Sequence, residues 1–277
     1  DKRVLGGVGW EFVERLVAAG AGQVELPKGH VSFDPEYYKL LAQRMVLEAG
    51  IELYTNTVVS ACQMADGRVT HVLIESKDGL QALAAGTVID ATGDGLVCRR
   101  AGVPMQVSAG GMQPMSLCFL LRNVDVTTAL LRDHIHHTGL HGQSKHMGIY
   151  HALQRLAEQL VALLRKLYPE FAKASIAEIA AQGGVRETYH IRGLYTLSGA
   201  DILGGAPCAD GVAFCSHPVD IHSAQDNPQT AQYFDTPCPV PYRVMVAAGF
   251  DNLIAAGRCV SCVDEAYASM RVQGTCM

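Results

Sequence analysis

The sequence predicts an α/β protein, and three features of the chain support that class. Residues 8–19 and 34–49 have the apolar spacing of helices. Short strands separated by Asp-Gly turns follow within residues 57–84. Two apolar strands, within residues 87–91 and 253–260, each run into a glycine turn. Helices, an inserted small sheet and buried strands of this kind together indicate an α/β arrangement.

The two helices have recognisable ends. Gly20 interrupts the apolar pattern of the first helix. The second helix starts at Asp34, a good N-cap residue, with Pro35 at the first helical position. Gly50 then ends it.

The segment after the second helix is rich in predicted strands. Ile51–Tyr54 is predicted as a short strand, and Asp66-Gly67 and Asp78-Gly79 are predicted as the turns of a three-stranded meander. The strands of that meander are Thr57–Met64, Arg68–Ser76 and Leu80–Ala84.

The rest of the chain changes character several times. Leu117–Val124 is predicted as a strand, and residues 127–182 are predicted to be mainly helical. Residues 183–245 are rich in glycine and proline and contain only short segments. Residues 253–260 return to a buried strand followed by a glycine turn.

Composition excludes several classes of protein. Of 277 residues, 49% are apolar and 18% are charged, which is typical of a globular chain. A net charge of −5 argues against nucleic acid as a partner. No apolar run is long enough to cross a bilayer, so no membrane is expected. The cysteines are scattered along the chain, which indicates free thiols and a cytoplasmic location.

The segment Val88–Gly95 (VIDATGDG) is the most informative pattern. It brings the small residues Ala91, Thr92 and Gly93 to the carboxyl end of a buried strand, where ligands of open α/β sheets bind. An ordinary strand-to-turn junction would have the same pattern. Gly93-x-Gly95-x-x-Cys98 resembles a dinucleotide fingerprint, but a cysteine replaces its third glycine.

Potential metal ligands do not form a recognisable set. Cys259-x-x-Cys262 has no second pair to complete four ligands, so we interpret it as two thiols at the end of a strand. We interpret the histidine-rich segment as a solvated surface and expect no metal site. Its histidines are His134, His136, His137, His141, His146 and His151. An iron–sulfur cluster is not supported by the cysteine spacing.

Five stretches of the chain resemble the FAD-dependent oxidoreductase family that includes heterodisulfide reductase A-like proteins and proteins labelled as xanthan lyases. They are VIDATGDG with the following RAGVP, GGVRETYHIRGLYTLSGADILGG, PVDIH, PVPYR and DNLIAAGRCVSCVDEAYASMRVQGTCM. The last stretch, residues 251–277, is the most specific.

The resemblance implies a glutathione-reductase-type fold. Its parallel sheet is of the FAD/NAD(P)-binding type with a β-meander insert, and an α+β substrate (cap) domain accompanies it. The implied domains are a partial FAD-binding domain at residues 1–103, a cap at residues 104–245 and a return to the FAD-binding domain at residues 246–277. The cofactor implied is FAD.

The resemblance also assigns residues to the cofactor. Val58 would lie against adenine, and Gly257 and Arg258 would approach the ribitol. A further set would contact the ADP half or the isoalloxazine edge: Ala91, Thr92, Gly93, Asp94, Arg271, Val272, Thr275 and Cys276. The residues expected at the substrate or flavin face, and named as catalytic, are Arg186, His190 and Arg271.

The chain departs from the family at both ends. The strand, G-x-G-x-x-G loop and helix that hold the pyrophosphate in the family are not found in this sequence, and Met277 stands where the flavin-facing helix should start. We therefore expect a fragment that binds FAD weakly by itself.

The function implied is transfer of electrons or a hydride between an organic substrate and FAD. The partners expected are a small-molecule substrate and an electron acceptor, with a homo-oligomer as one possible assembly. One alternative is a non-redox lyase with His190 or His222 as general base. The other is a scaffold that has lost FAD binding.

Overall fold

The computed structural model describes residues 6–25, 30–108, 112–125, 148–205, 208–221 and 230–277. Contacts divide the chain into two compact units. Unit 1 comprises Asp1–Gln106, Tyr189–Val219 and Gln232–Met277, and unit 2 comprises Val107–Thr188 and Asp220–Ala231. The limits of the FAD-binding and cap domains given above stay predictions.

The described residues contain both helices and strands, including a parallel pair of strands, which confirms the α/β class. The helices are α1 Gly7–Ala18, α2 Pro35–Glu48, α3 Leu96–Arg100, α4 Gly148–Leu167, α5 Gly199–Gly204, α6 Asp264–Met270 and α7 Gln273–Cys276. The first nine strands are β1 Gly22–Glu25, β2 His30–Phe33, β3 Val58–Ala65, β4 Arg68–Ser76, β5 Gly79–Ala84, β6 Val88–Asp90, β7 Met105–Gln106, β8 Phe119–Arg122 and β9 Ser175–Ile179. The others are β10 His190–Ile191, β11 Gly211–Cys215, β12 Val219–Ile221, β13 Thr230–Gln232, β14 Cys238–Pro241 and β15 Leu253–Ala255. None of the described helices is long and apolar enough to span a membrane.

The two predicted helices at the start of the chain are confirmed. The Asp34 side chain accepts hydrogen bonds from the backbone N–H groups of Glu36 and Tyr37, so it caps α2 as expected. Phe12 and Leu16 of α1 pack with Leu41 of α2 in a small apolar cluster. The hairpin of β1 and β2 between these helices was not predicted, because its strands are only four residues long.

The predicted meander is confirmed, but the strand before it is not. The strands β3, β4 and β5 form an antiparallel sheet, and Asp66 and Gly67 have positive φ in the first turn. The prediction of a strand at Ile51–Tyr54 is wrong, because these residues pair with no other segment in the part of the chain that is described. Ile51 is 55% exposed, so its apolar side chain has no core to join.

A parallel pair of strands forms the centre of unit 1. Val88, Ile89 and Asp90 of β6 lie opposite the three residues of β15 in parallel register. This confirms the two predicted strands, with the glycine turns following each, but β6 is buried on one side only, because Ile89 is 61% exposed. The core around them includes Val69, Val97, Cys98, Ile191, Leu253, Ala255 and Cys259.

Unit 2 contains the antiparallel pair β8 and β9 and the helix α4. The strand predicted at Leu117–Val124 is confirmed as β8. The mainly helical prediction for residues 127–182 is wrong at its end, because Ser175–Ile179 pairs with β8 as a strand. The apolar side chains of Leu121, Leu164 and Phe171 pack together, so β8, α4 and the turn after α4 share one apolar cluster. Residues 127–147 of that prediction lie outside the described residues.

Candidate functional site

Two glycine turns lie side by side in unit 1. Because β6 and β15 are parallel neighbours, the turns that follow them leave the same edge of the sheet. The backbone N–H of Ala256 donates to the carbonyl of Asp90 at 2.9 Å, which continues the pairing beyond the strands. The first turn thus holds Ala91, Thr92, Gly93 and Asp94 close to Gly257 and Arg258 of the second.

The buried carboxylate of Asp90 organises the first turn. Asp90 is 0% exposed. One of its oxygens accepts from the Thr92 N–H at 3.0 Å and from the Thr92 hydroxyl at 2.6 Å, and the other accepts from the Cys98 N–H at 2.8 Å. The Thr92 hydroxyl oxygen in turn accepts from the N–H of Leu96 at 2.9 Å. These bonds fix the turn and the start of α3, and sequence reasoning assigned no role to Asp90.

The guanidinium of Arg258 covers the first turn. Its Nη2 donates to Asp94 Oδ1 at 3.0 Å, so an ion pair joins the two turns. A Cβ built on Gly93 would lie 2.6 Å from that Nη2, so a larger residue at this position would have to push the guanidinium aside. Nη1 of Arg258 is buried and meets no hydrogen-bond acceptor among the described residues. The site therefore offers one buried N–H donor group that is ready for an oxygen or nitrogen acceptor.

The last residues of the chain lie beside the second turn. A Cβ built on Gly257, which has φ of +81°, would lie 3.9 Å from Cβ of Cys276. Burial raises the pKa of the Cys276 thiol, and the nearby Arg258 opposes that rise. The Val272 carbonyl accepts from the N–H groups of Thr275 and Cys276 at 3.1 and 3.0 Å. The structure thus brings Cys276 to the Gly257–Arg258 turn.

Two other cofactor candidates are placed differently. Arg271 follows α6, and its Nε donates to the Ala268 carbonyl at 3.4 Å. Val58 begins β3 opposite Glu75 and is 58% exposed. Their proposed contacts with a cofactor stay predictions.

His190 lies in the interior of unit 1. It is 1% exposed, and its ring centroid lies 4.6 Å from that of Tyr267 in an edge-to-face contact. Its Nδ1 lies 3.6 Å from Sγ of Cys262. The sequence did not reveal this contact, because 72 positions separate the two residues.

Arg186 belongs to unit 2. Its Nη1 donates to the Pro114 carbonyl and to the Ser116 hydroxyl, both at 2.7 Å. The neighbouring Glu187 is 3% exposed, and its carboxylate accepts from the Gln113 N–H at 3.0 Å and from the Ser108 hydroxyl. The charged side chains of the adjacent residues Arg186 and Glu187 are therefore each held by separate hydrogen bonds within unit 2.

The cysteines are free thiols. Burial raises the pKa of Cys259 to about 11, with the nearby Asp90 as the second cause. Its Sγ lies 3.6 Å from the carbonyl oxygens of both Asp90 and Ala256, and its single proton can be donated to either one. No group of three possible metal ligands occurs among the residues described. His222 and the histidines from His134 to His146 lie outside them, and nothing is described of the His151 side chain.

Comparisons with known proteins identify a family and several solved structures that are similar to this chain. The model of a family described as FAD dependent oxidoreductase matches residues 1–153 and 143–277. No curated protein matches the chain. The chain is similar to CabE, an aromatic hydroxylase from angucycline biosynthesis, at 12% identity and a TM-score of 0.44 over 70% of this chain and 46% of CabE. It is also similar to a triple mutant of the flavin-dependent brominase Bmp2, at 11% identity and a TM-score of 0.44 over 99% of this chain and 68% of Bmp2. The chain thus spans less than half the length of CabE.

Proposed function

Because this chain belongs to the FAD dependent oxidoreductase family, we propose that its two glycine turns hold part of an FAD molecule. The whole protein would transfer electrons or a hydride between a small organic substrate and that FAD. The α/β fold, with its meander beside a parallel pair of strands, is consistent with an FAD-binding domain. When bound, FAD would supply the redox chemistry, and the chain would bind and orient it.

The observation that supports this proposal most strongly is the environment of Arg258. Its Nη1 is a buried donor without an acceptor among the described residues. A buried polar group of this kind costs free energy until it is paired. FAD has hydroxyl, phosphate and carbonyl oxygens that can accept from a guanidinium. The donor set at the turn therefore fits the cofactor that the family implies.

The small residues of the two turns support the same proposal. Ala91, Gly93 and Gly257 have little or no side chain, so a flat or extended ligand could approach their backbone closely. Ala91 and Thr92 are exposed at the end of β6. In this proposal Ala91, Thr92 and Gly93 contact the ADP half of FAD, as the resemblance implies, and Asp94 lies beside them at the cofactor.

The remaining candidate residues have proposed roles around the reacting part of the cofactor. Arg271, Val272, Thr275 and Cys276 would lie at the isoalloxazine edge, where a cation stabilises negative charge on the ring. Arg186 would hold an anionic group of the substrate. His190 would accept or donate a proton at one ring nitrogen.

Measurement of FAD affinity tests the assignment of Arg258. The full-length protein would be stripped of flavin and titrated with FAD by calorimetry. We expect Arg258→Ala to weaken binding by about tenfold to a hundredfold, the range for one charged hydrogen bond.

The matched control is Arg243→Ala. Arg243 belongs to the same unit, pairs with Asp210 at 3.6 Å and stacks on the ring of Tyr195. It lies outside the two glycine turns, so its removal should leave FAD affinity within about twofold. Equal affinities of the wild type and Arg258→Ala would contradict the proposed site.

A further inference from the structure

The helix α2 and the terminal segment, residues 272–276, are joined by a hydrogen bond between two side chains. Nε2 of Gln273 donates to the hydroxyl oxygen of Tyr38. The two residues are 235 positions apart in the sequence, and both belong to unit 1. Sequence reasoning assigned a function to neither of them, although other residues of the same segment were cofactor candidates. The bond thus connects a candidate cofactor-binding segment to a helix that had no assigned role.

The ring of Tyr38 is held by contacts with two other aromatic rings. Its centroid lies 4.5 Å from that of Phe12 in α1 and 5.0 Å from that of Phe33 in β2. Aromatic pairs at these separations attract each other beyond the burial of apolar area. A tyrosine side chain has only two main torsions, so a packed ring leaves its hydroxyl in a defined place. Tyr38 therefore offers Gln273 an acceptor that has little conformational entropy left to lose.

The backbone that carries Tyr38 is fixed as well. The N–H of Tyr38 donates to the Asp34 carbonyl at 2.9 Å, in the first turn of the helix that the Asp34 side chain caps. Leu41, one turn further on, is 3% exposed and packs with Phe12 and Leu16 of α1. These contacts anchor α2 to α1, so the position of the Tyr38 hydroxyl follows from the packing of the two helices.

The terminal segment depends on contacts with the rest of unit 1 for its order. The helix α7 is only four residues long, and a helix of that length is not stable by itself in water. Its carboxyl end is placed by Cys276, which approaches Gly257 and whose Sγ lies 3.4 Å from the Met270 carbonyl oxygen. Its first residue is Gln273, whose exposed side chain extends to Tyr38. The bond to Tyr38 therefore restrains the end of α7 that Cys276 does not.

We propose that Tyr38 is a positioning residue that holds Gln273 and thereby orders the terminal segment beside the second glycine turn. A segment that is already ordered loses less conformational entropy when a ligand binds to it. An exposed hydrogen bond contributes little to the stability of the whole fold, so its loss should act locally. That the ligand is FAD rests on the proposed function, whereas the ordering of the segment by Tyr38 does not.

Hydrogen exchange of the flavin-free full chain tests the ordering directly. The N–H groups of Thr275 and Cys276 donate to the Val272 carbonyl, so they exchange with solvent when the segment opens. Tyr38→Phe removes only the hydroxyl and keeps the ring. We expect it to speed the exchange of these two amides by roughly two- to tenfold, the range for one net hydrogen bond. The midpoint of urea denaturation should stay the same.

Three further variants separate this hydrogen bond from general loosening. Gln273→Leu removes the other partner and should speed the exchange as much as Tyr38→Phe does. Gln273→Glu keeps a side chain of the same length that can accept from the Tyr38 hydroxyl, so it should restore slow exchange. Tyr37→Phe is the matched control, because Tyr37 is half-buried on the same helix but lines a groove with Arg15 and Leu41. Unchanged exchange in Tyr38→Phe, or equally fast exchange in Tyr37→Phe, would overturn the proposal.

Addition of FAD distinguishes this proposal from the proposed function. If FAD contacts the terminal segment, saturating FAD should slow the exchange of the Thr275 and Cys276 amides in the wild type and in Tyr38→Phe. Binding of FAD without slower exchange would contradict the proposed contact with the cofactor, and the ordering by Tyr38 would stand. Slower exchange with FAD, together with no response to Tyr38→Phe, would support the cofactor contact and refute the role of Tyr38.

Discussion

The two glycine turns at the ends of β6 and β15 have similar backbones but are stabilised by different groups. Gly93 and Gly257 have φ angles of +74° and +81°, in the left-handed region. In the first turn, three hydrogen bonds converge on the carboxylate of Asp90. In the second turn, the corresponding contacts are made by the thiol of Cys259 at 3.6 Å.

Because different groups stabilise the two turns, we expect the first turn to matter mainly for folding stability and the second mainly for ligand binding. Hydrogen bonds to a carboxylate are about twice as strong as those between neutral groups, and a thiol is a weak donor. The first turn should therefore contribute more to the free energy of unfolding. The second turn contains Arg258, whose buried Nη1 is the donor proposed for the cofactor. Changes in the first turn should act mainly on folding, and changes at Arg258 mainly on binding.

The largest expected effect on folding comes from Asp90→Ala. This change removes the acceptor of the Thr92 and Cys98 N–H groups, and Cys98 is 0% exposed. We expect the free energy of unfolding to fall by about 3–5 kcal/mol, since charged hydrogen bonds are lost and a buried donor is left unpaired. Urea denaturation followed by circular dichroism measures it.

The exposed Asp251 provides the control for that experiment. Asp251→Ala should change the free energy of unfolding by no more than about 0.5 kcal/mol. If Asp90→Ala cost less than about 1 kcal/mol, the carboxylate would not be what stabilises the first turn.

The sequence was sufficient for features that depend on neighbours in the chain. The N-cap Asp34 acts on residues two and three positions later, and the meander turn at Asp66-Gly67 requires only local backbone geometry. Both were predicted. The bond between Asp90 and Thr92 also spans two positions, so the same local reasoning could have found it.

Features that depend on distant partners could not be predicted in the same way. Ile51–Tyr54 has the composition of a strand, but a strand requires a partner, and the structure supplies none among the described residues. Arg258 and Asp94 are 164 positions apart, and their ion pair follows from the parallel register of β6 and β15. The resemblance named both residues, but spacing alone gave no reason to pair them.

Alanine at each of the two glycines tests the comparison of the turns directly. Both changes force alanine into the left-handed region, which costs about 1–2 kcal/mol. Gly93→Ala also places Cβ against the guanidinium of Arg258, whereas the nearest atom to a Cβ on Gly257 is 3.9 Å away. We therefore expect Gly93→Ala to cost about 2 kcal/mol and Gly257→Ala nearer 1 kcal/mol.

The same pair of variants has a second readout. Gly93→Ala should displace Arg258 from its ion pair with Asp94, so its FAD affinity should fall by more than that of Gly257→Ala. Equal losses of stability and affinity in the two variants would mean that the arginine moves aside freely. The guanidinium would then not be fixed by the first turn.

The pH dependence of stability tests the second turn. Burial, followed by the nearby Asp90, raises the pKa of Cys259 from 9.0 to about 11. Above pH 9 the unfolded chain releases this thiol proton while the folded chain keeps it, so stability falls as the pH rises. Between pH 8 and pH 10 this one group should account for a loss of about 1.4 kcal/mol.

Comparison with Cys259→Ala isolates that contribution. The variant lacks the titrating thiol, so its free energy of unfolding should fall by about 1.4 kcal/mol less than that of the wild type over the same pH range. Parallel pH profiles for the two proteins would show that Cys259 is not held protonated by its burial.

The smallest expected effect on folding comes from the ion pair that joins the two turns. The side chains of Arg258 and Asp94 are 23% and 47% exposed. Solvent screens such a pair, so Asp94→Ala should lower the free energy of unfolding by less than about 1 kcal/mol.

A double-mutant cycle with Arg258→Ala measures the coupling between the two side chains, and added salt should reduce it. A coupling above about 2 kcal/mol would mean that the charges, rather than the parallel strands, hold the turns together. A small coupling would mean that the backbone of the two turns, with the space above Gly93, positions Arg258. The positive charge of Arg258 would then be available to a ligand.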